Sequence, residues 1–169
     1  MHASVMEWLR QVRAELGDIS SWRVLEVGAL DENGSPREVF ADSSVGWYWG
    51  IDMREGRGVN EVMRADKLEW VDSVFDLVVC TEMLEHDPRP WRSVPEMARV
   101  LKPRGHLLLT ARGFDAYTGY PEHPCPNDYW RFNRESFGVL LSDAGLVPKE
   151  ILMDSGKEAP GVFAHAIKP

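Results

Sequence analysis

A chain of 169 residues with 44% hydrophobic content has the size of one domain and enough apolar side chain to cover both faces of a sheet. Its formal net charge of -8 argues against a nucleic-acid partner, because affinity for a phosphate backbone comes from lysine and arginine. No apolar run approaches the roughly 20 residues of a membrane span, and the two cysteines, Cys80 and Cys125, sit in unlike contexts, so no membrane, no disulfide framework and a cytoplasmic setting are expected.

In chain order, Val5, Trp8, Leu9, Val12 and Leu16 recur at helical spacing before Gly17, which predicts an amphipathic helix within residues 1–20. The β-branched run at 23–27 is a strand ending on Gly28, followed by the turn-rich 31–36 and a short helix through Phe40. A second strand ends at Gly50-Ile51-Asp52, a glycine-rich stretch covers 54–58, and a weaker third strand lies at 59–63. The almost wholly apolar Phe75-Asp76-Leu77-Val78-Val79-Cys80 suits a central parallel strand buried on both faces.

A helix over 91–101 stops at Lys102-Pro103-Arg104-Gly105, and a fifth strand runs from His106 to Ala111. After the aromatic, proline-rich loop at 113–132, Asn133 is placed to cap a helix that Gly145 ends. Strands at 146–153 and 161–167 close the chain as a possible hairpin. This alternation predicts an α/β fold over 1–169, a mainly parallel sheet with helices on both faces.

Four blocks then stand in order: Val24-Leu25-Glu26-Val27-Gly28, Gly50-Ile51-Asp52, the strand ending at Cys80, and Val100-Leu101-Lys102-Pro103-Arg104-Gly105. With Leu84-Glu85-His86 after the fourth strand, they resemble the class I methyltransferases, which use S-adenosyl-L-methionine. The resemblance implies a Rossmann-like, seven-stranded sheet, parallel except for its last strand. A glycine directly after strand one lets backbone approach a ligand, and an acid after strand two can accept hydrogen bonds from both ribose hydroxyls. The resemblance therefore assigns Gly28 and Asp52 to the cofactor. It gives Glu26 the role of orienting the loop or meeting the cofactor's amino group, and lays Met53 against the adenine. It also gives Asp66, or its neighbouring backbone, to the adenine amino group, and Thr81 and Glu82 to the methionyl part. Ala29 and Leu30 stand where many members carry further glycines.

Methyl transfer is an in-line displacement at a sulfonium, which needs alignment and exclusion of water more than a base. If a base acts, His123 is the preferred candidate and His86 the second. The 113–132 loop is expected to cover the acceptor pocket, with Tyr120, Tyr129 and Arg131 as candidate acceptor contacts. Trp130 and Phe132 read as core anchors, and Arg131 alternatively pairs with an acid. His123 and Cys125, with no second pair at ligand spacing, do not make a structural zinc site, so no metal is expected. The acceptor expected for so small and acidic a chain is a small molecule or a glycan. Two other readings stay open: a non-catalytic module on the same fold, and a nicotinamide-dependent oxidoreductase, which ordinarily shows a Gly-x-Gly-x-x-Gly turn where this chain has Leu30.

Overall fold

A computed structural model describes residues 2–41, 45–114, 127–154 and 161–169. The sheet has seven strands: β1 (Arg23–Val27), β2 (Trp47–Asp52), β3 (Glu61–Val62), β4 (Phe75–Thr81), β5 (Leu101–Arg112), β6 (Val147–Asp154) and β7 (Gly161–Ile167). Their order is β3-β2-β1-β4-β5-β7-β6. The pairs from β3 to β5 are parallel, and β7 lies antiparallel to both β5 and β6. This is the expected Rossmann-like class I architecture, with the last strand reversed.

Side-chain alternation sorts the core into two layers. Val24, Leu77, Val79, Leu108 and Phe163 point to one face and pack with Val5, Trp8, Leu9 and Val12 of α1 (Ala3–Glu15) and Val39 and Phe40 of α2 (Arg37–Phe40). Leu25, Val27, Val78, Cys80, Leu107 and Leu109 point to the other, under α3 (Pro90–Val100) and α4 (Arg134–Asp143). The inner residues of β4 are fully buried, as its composition predicts for a central strand. Asn133 caps α4 in a reciprocal box with Ser136, and Gly145 takes a φ of +71° just beyond the helix.

Two elements differ from expectation. The third strand shrinks to Glu61–Val62, both exposed, because it has a partner on only one side. Lys102-Pro103-Arg104-Gly105 is no terminal turn: α3 ends at Val100 and β5 begins at once, carrying these residues in an irregular stretch where the register with β4 shifts. Proline is tolerated there because a bulged stretch needs fewer ladder donors. Arg104 adopts a φ of +66°, and Lys168 closes the irregularity, its Nζ donating to the carbonyl of Leu101 at 2.7 Å.

The strand order reverses between β1 and β4, so the carboxyl ends of β1, β2 and β4 open onto one crevice, the place where such sheets bind ligands.

Candidate active site

At the end of β1, Gly28 has a φ of +82°, and a Cβ there would stand 2.8 Å from the Met83 side chain. Only glycine satisfies both constraints. The amides of Gly28 and Ala29 both donate to the carbonyl of Ile51 at 2.9 Å, which ties the turn to β2. One residue back, Glu26 is buried. It accepts hydrogen bonds from Tyr48 Oη at 2.7 Å and Ser35 Oγ at 2.9 Å. Burial pushes its carboxyl up to about 7. Its carboxylate thereby ties the 28–36 loop to β1 through Ser35.

The remainder of that loop packs on the stretch after β2. A Cβ on Gly58 would lie 2.4 Å from the Ala29 carbonyl, and one on Gly56 2.3 Å from Leu30. Leu30 thus occupies the space a neighbouring glycine leaves. Arg57–Asp31 at 3.0 Å and Arg54–Glu32 at 3.1 Å add ion pairs across the two loops.

Asp52 ends β2 half-buried, its carboxylate accepting the amide of Arg54 at 2.9 Å. Met53 beside it is 62% exposed and borders an open cavity of about 410 Å³, also lined by Val62, Met63, Arg64 and Lys67. Asp66 lies in the chain between Arg64 and Lys67, which line this cavity. Its carboxylate is held in a fork by Arg64, with both contacts at 2.8 Å, and the guanidinium keeps it below the usual carboxylate range.

At the end of β4, Thr81 is buried opposite Thr110. Glu82 takes a φ of +51°, its amide donating to the Thr110 carbonyl at 3.0 Å and its carboxylate accepting Thr110 Oγ1 at 2.9 Å. A single 3-10 turn, Leu84–His86, follows. The segment after residue 126 clamps onto it: the amides of Tyr129 and Trp130 reach the Glu85 carbonyl, Trp130 Nε1 donates to the Asp87 carbonyl at 2.8 Å, and His86 Nδ1 lies 3.2 Å from the Asn127 carbonyl.

These contacts refine the acceptor-side expectations. Phe132 is a core anchor, packed edge-on against Phe137 at 5.4 Å. Trp130 is not: it is 37% exposed, because its indole is held at the surface by the Asp87 carbonyl and by Trp91. Arg131 has no side-chain exposure and grips both carboxylate oxygens of Asp128, so its guanidinium is turned inward rather than presented to an acceptor. Tyr129 is half exposed, its hydroxyl donating to Asn127 Oδ1 at 3.2 Å. His123, Tyr120 and Cys125 lie outside the described residues. Among the described residues no group of three or more His, Cys, Asp or Glu is placed to hold a metal ion, and no helix is long and apolar enough to cross a membrane.

Sequence reasoning passed over Arg112, which ends β5 next to this turn, buried and with Nη1 2.9 Å from Nε2 of His2 at the start of α1. A charged residue closing an otherwise apolar buried strand was the available signal. Glu85 was noticed in its motif but left without a role; it too is buried.

With the crevice defined, similarity to known proteins becomes informative. A family model for the methyltransferase domain matches residues 37–109. That match, together with the fold, supports a class I S-adenosylmethionine-dependent methyltransferase. An uncharacterized methyltransferase of Mycolicibacterium paratuberculosis is 28% identical over 153 residues, covering 69% of this chain and 58% of its own length. The chain spans about half the length of the curated relatives it matches. Among solved structures, the 1,6-didemethyltoxoflavin-N1-methyltransferase of Burkholderia thailandensis superposes with a TM-score of 0.77 at 16% identity, covering 98% of this chain and 78% of that one. A SAM-dependent methyltransferase from Aquifex aeolicus gives 0.68 at 20% identity, covering 97% and 93%. At such identities the structural likeness speaks to the fold alone.

Proposed function

We propose that this chain binds S-adenosyl-L-methionine in the crevice at the ends of β1, β2 and β4 and transfers its methyl group to a small-molecule or glycan acceptor. The observation that carries the reading is Asp52 at the carboxyl end of β2, one strand from the Gly28 turn and beside the cavity at Met53. A carboxylate there suits a ribose diol, the exposed thioether of Met53 offers a surface to adenine, and Thr81 with Glu82 borders the methionyl end. The cofactor supplies a sulfonium-activated methyl, and the protein supplies alignment and a dry site. The segment at 127–132, clamped on the turn after β4, closes the acceptor side.

The nicotinamide reading loses support, because Leu30 fills the position of a second glycine and is packed on Gly56. A small acceptor is favoured by the acidic charge, which opposes a nucleic-acid partner. The test is incubation with S-adenosylmethionine labelled in its methyl group, supplied separately with a small-metabolite extract, total RNA and denatured protein. Label moving into the small-metabolite fraction supports the reading; label confined to RNA or protein overturns the acceptor class.

A further inference from the structure

Glu85 and Arg112 are both more than nine-tenths buried, and each carries a polar atom with no hydrogen-bond partner among the described residues: Oε2 of Glu85 and Nε of Arg112. One is an acceptor and the other a donor. They stand at the carboxyl ends of adjacent strands, Glu85 in the turn after β4 and Arg112 as the last residue of β5, where Thr81 pairs with Thr110. Arg112 lies close enough to act electrostatically on both Glu82 and Glu85. Buried polar groups left without partners are costly, and a ligand at the carboxyl ends of these strands would complete both.

We propose that Glu85 and Arg112 receive a hydroxyl group of the acceptor, so that this methyltransferase methylates oxygen. The inference rests on the methyl-transfer reading above. A hydroxyl matches both atoms and keeps a lone pair for attack, donating its hydrogen to Glu85 Oε2 while its oxygen accepts from Arg112 Nε. A nucleophilic amine is neutral and has a single lone pair, which Arg112 Nε would occupy and so withhold from the methyl, whereas a hydroxyl oxygen accepts with one lone pair and attacks with the other. A carboxylate or phosphate accepts only, and would meet Glu85 and Glu82 with repulsion. Arg131 does not compete, since Asp128 engages both of its terminal nitrogens.

The step balances within the site. The O–H bond breaks with its proton passing to Glu85, the oxygen forms the O–CH3 bond, and the S–CH3 bond breaks with its electron pair remaining on sulfur as a neutral thioether. Arg112 stabilises the charge that grows on oxygen as the proton leaves. Burial and the neighbouring Glu82 carboxyl hold the Glu85 carboxyl well above the usual carboxylate range, which makes it a stronger base than an exposed glutamate.

The experiment compares the wild-type chain with Glu85→Gln and Arg112→Met. Calorimetry measures S-adenosylmethionine binding, thermal melting measures stability, and methyl-labelled cofactor is supplied with phenol, catechol and glycerol as hydroxyl probes or with aniline and ethanolamine as amine-bearing probes. Expected are O-methylated products from hydroxyl probes. Glu85→Gln should reduce their formation at least 100-fold, with cofactor affinity within twofold of wild type. That variant should melt at or above the wild-type temperature, and the rise of kcat/KM with pH should disappear in it. Wild-type protein that binds the cofactor but methylates no hydroxyl probe overturns the proposal, as does methylation of amine nitrogen alone or a melting temperature lowered by more than about 5 °C in Glu85→Gln. A wild-type chain that binds no S-adenosylmethionine overturns the underlying methyl-transfer reading instead.

Discussion

The two sides of the crevice hold their charges in opposite ways. On the cofactor side the ion pairs are at the surface: Arg54 and Glu32 are 67% and 62% exposed, and Arg57 is 83% exposed over Asp31. On the acceptor side Arg131 is fully buried on Asp128, and Glu85 and Arg112 are buried with unmatched atoms. Exposed pairs contribute little and are screened by salt, whereas buried charge is costly unless matched. The cofactor loops are therefore shaped mainly by close glycine packing and the Glu26 tether. The side at Glu85 and Arg112 instead keeps unmatched polar atoms at a cost to stability, which on our proposal a ligand completes.

Three substitutions in the crevice can break the contrast, and one away from it sharpens the point about buried charge. Phe132→Ala should cost the most, about 3–5 kcal/mol by chemical denaturation, because it removes the buried ring that fixes the acceptor-side segment against Phe137. A cost below 1 kcal/mol would show the segment is anchored elsewhere.

Next is an acid-side effect away from the crevice. His106 Nδ1 and His165 Nε2 share a 2.8 Å hydrogen bond between β5 and β7, and burial with the adjacent His106 and Lys149 lowers the His165 imidazole to about 4. The unfolded chain binds the proton near pH 6.5 and the folded chain does not until about pH 4. Stability should thus fall as pH drops through that window, by up to about 3 kcal/mol. In His165→Gln, melting between pH 6.5 and 4 should lose this slope. Glu26 acts with the opposite sign: its folded carboxyl is raised to about 7 from 4.5, so it favours the folded state at low pH and loses that contribution as pH rises through 4.5–7.

Smaller still is Tyr48→Phe, which removes the shorter of the hydrogen bonds to Glu26 and should cost about 1–3 kcal/mol. A neutral result at pH 7 would mean Ser35 alone satisfies the carboxyl. Smallest is Arg54→Ala, expected to change stability by no more than about 0.5 kcal/mol, since both partners of its ion pair are exposed. A larger loss would show that the two loops depend on this pair.

Much of the fold was legible because its signals are local. The apolar run at 75–80, the alternation of strand and helix, and the Asn133 cap each follow from a few neighbouring residues, and each stands in the structure. What resisted were features set by distant partners. The stretch at 102–105 reads as a turn from its Pro and Gly, but Lys168 from the chain's end draws it into β5. Asp66 looks available in sequence, and only the fold shows Arg64 folded back on it. Trp130 reads as core because it is large and apolar, yet an indole nitrogen seeks an acceptor, and the Asp87 carbonyl holds it outward. The places of Gly28 and Asp52 were legible because strand ends announce themselves; the surroundings of Arg112 were not, because they are set by the buried carboxyls that β4 brings alongside.

The most direct test of the central claim is calorimetric titration of the purified chain with S-adenosylmethionine and, separately, with NADH, for the wild type and for Asp52→Ala. The account predicts saturable S-adenosylmethionine binding, weakened at least tenfold in Asp52→Ala while the variant melts near the wild-type temperature, and no binding of NADH. Binding of NADH, or S-adenosylmethionine affinity unchanged by loss of the Asp52 carboxylate, would contradict it.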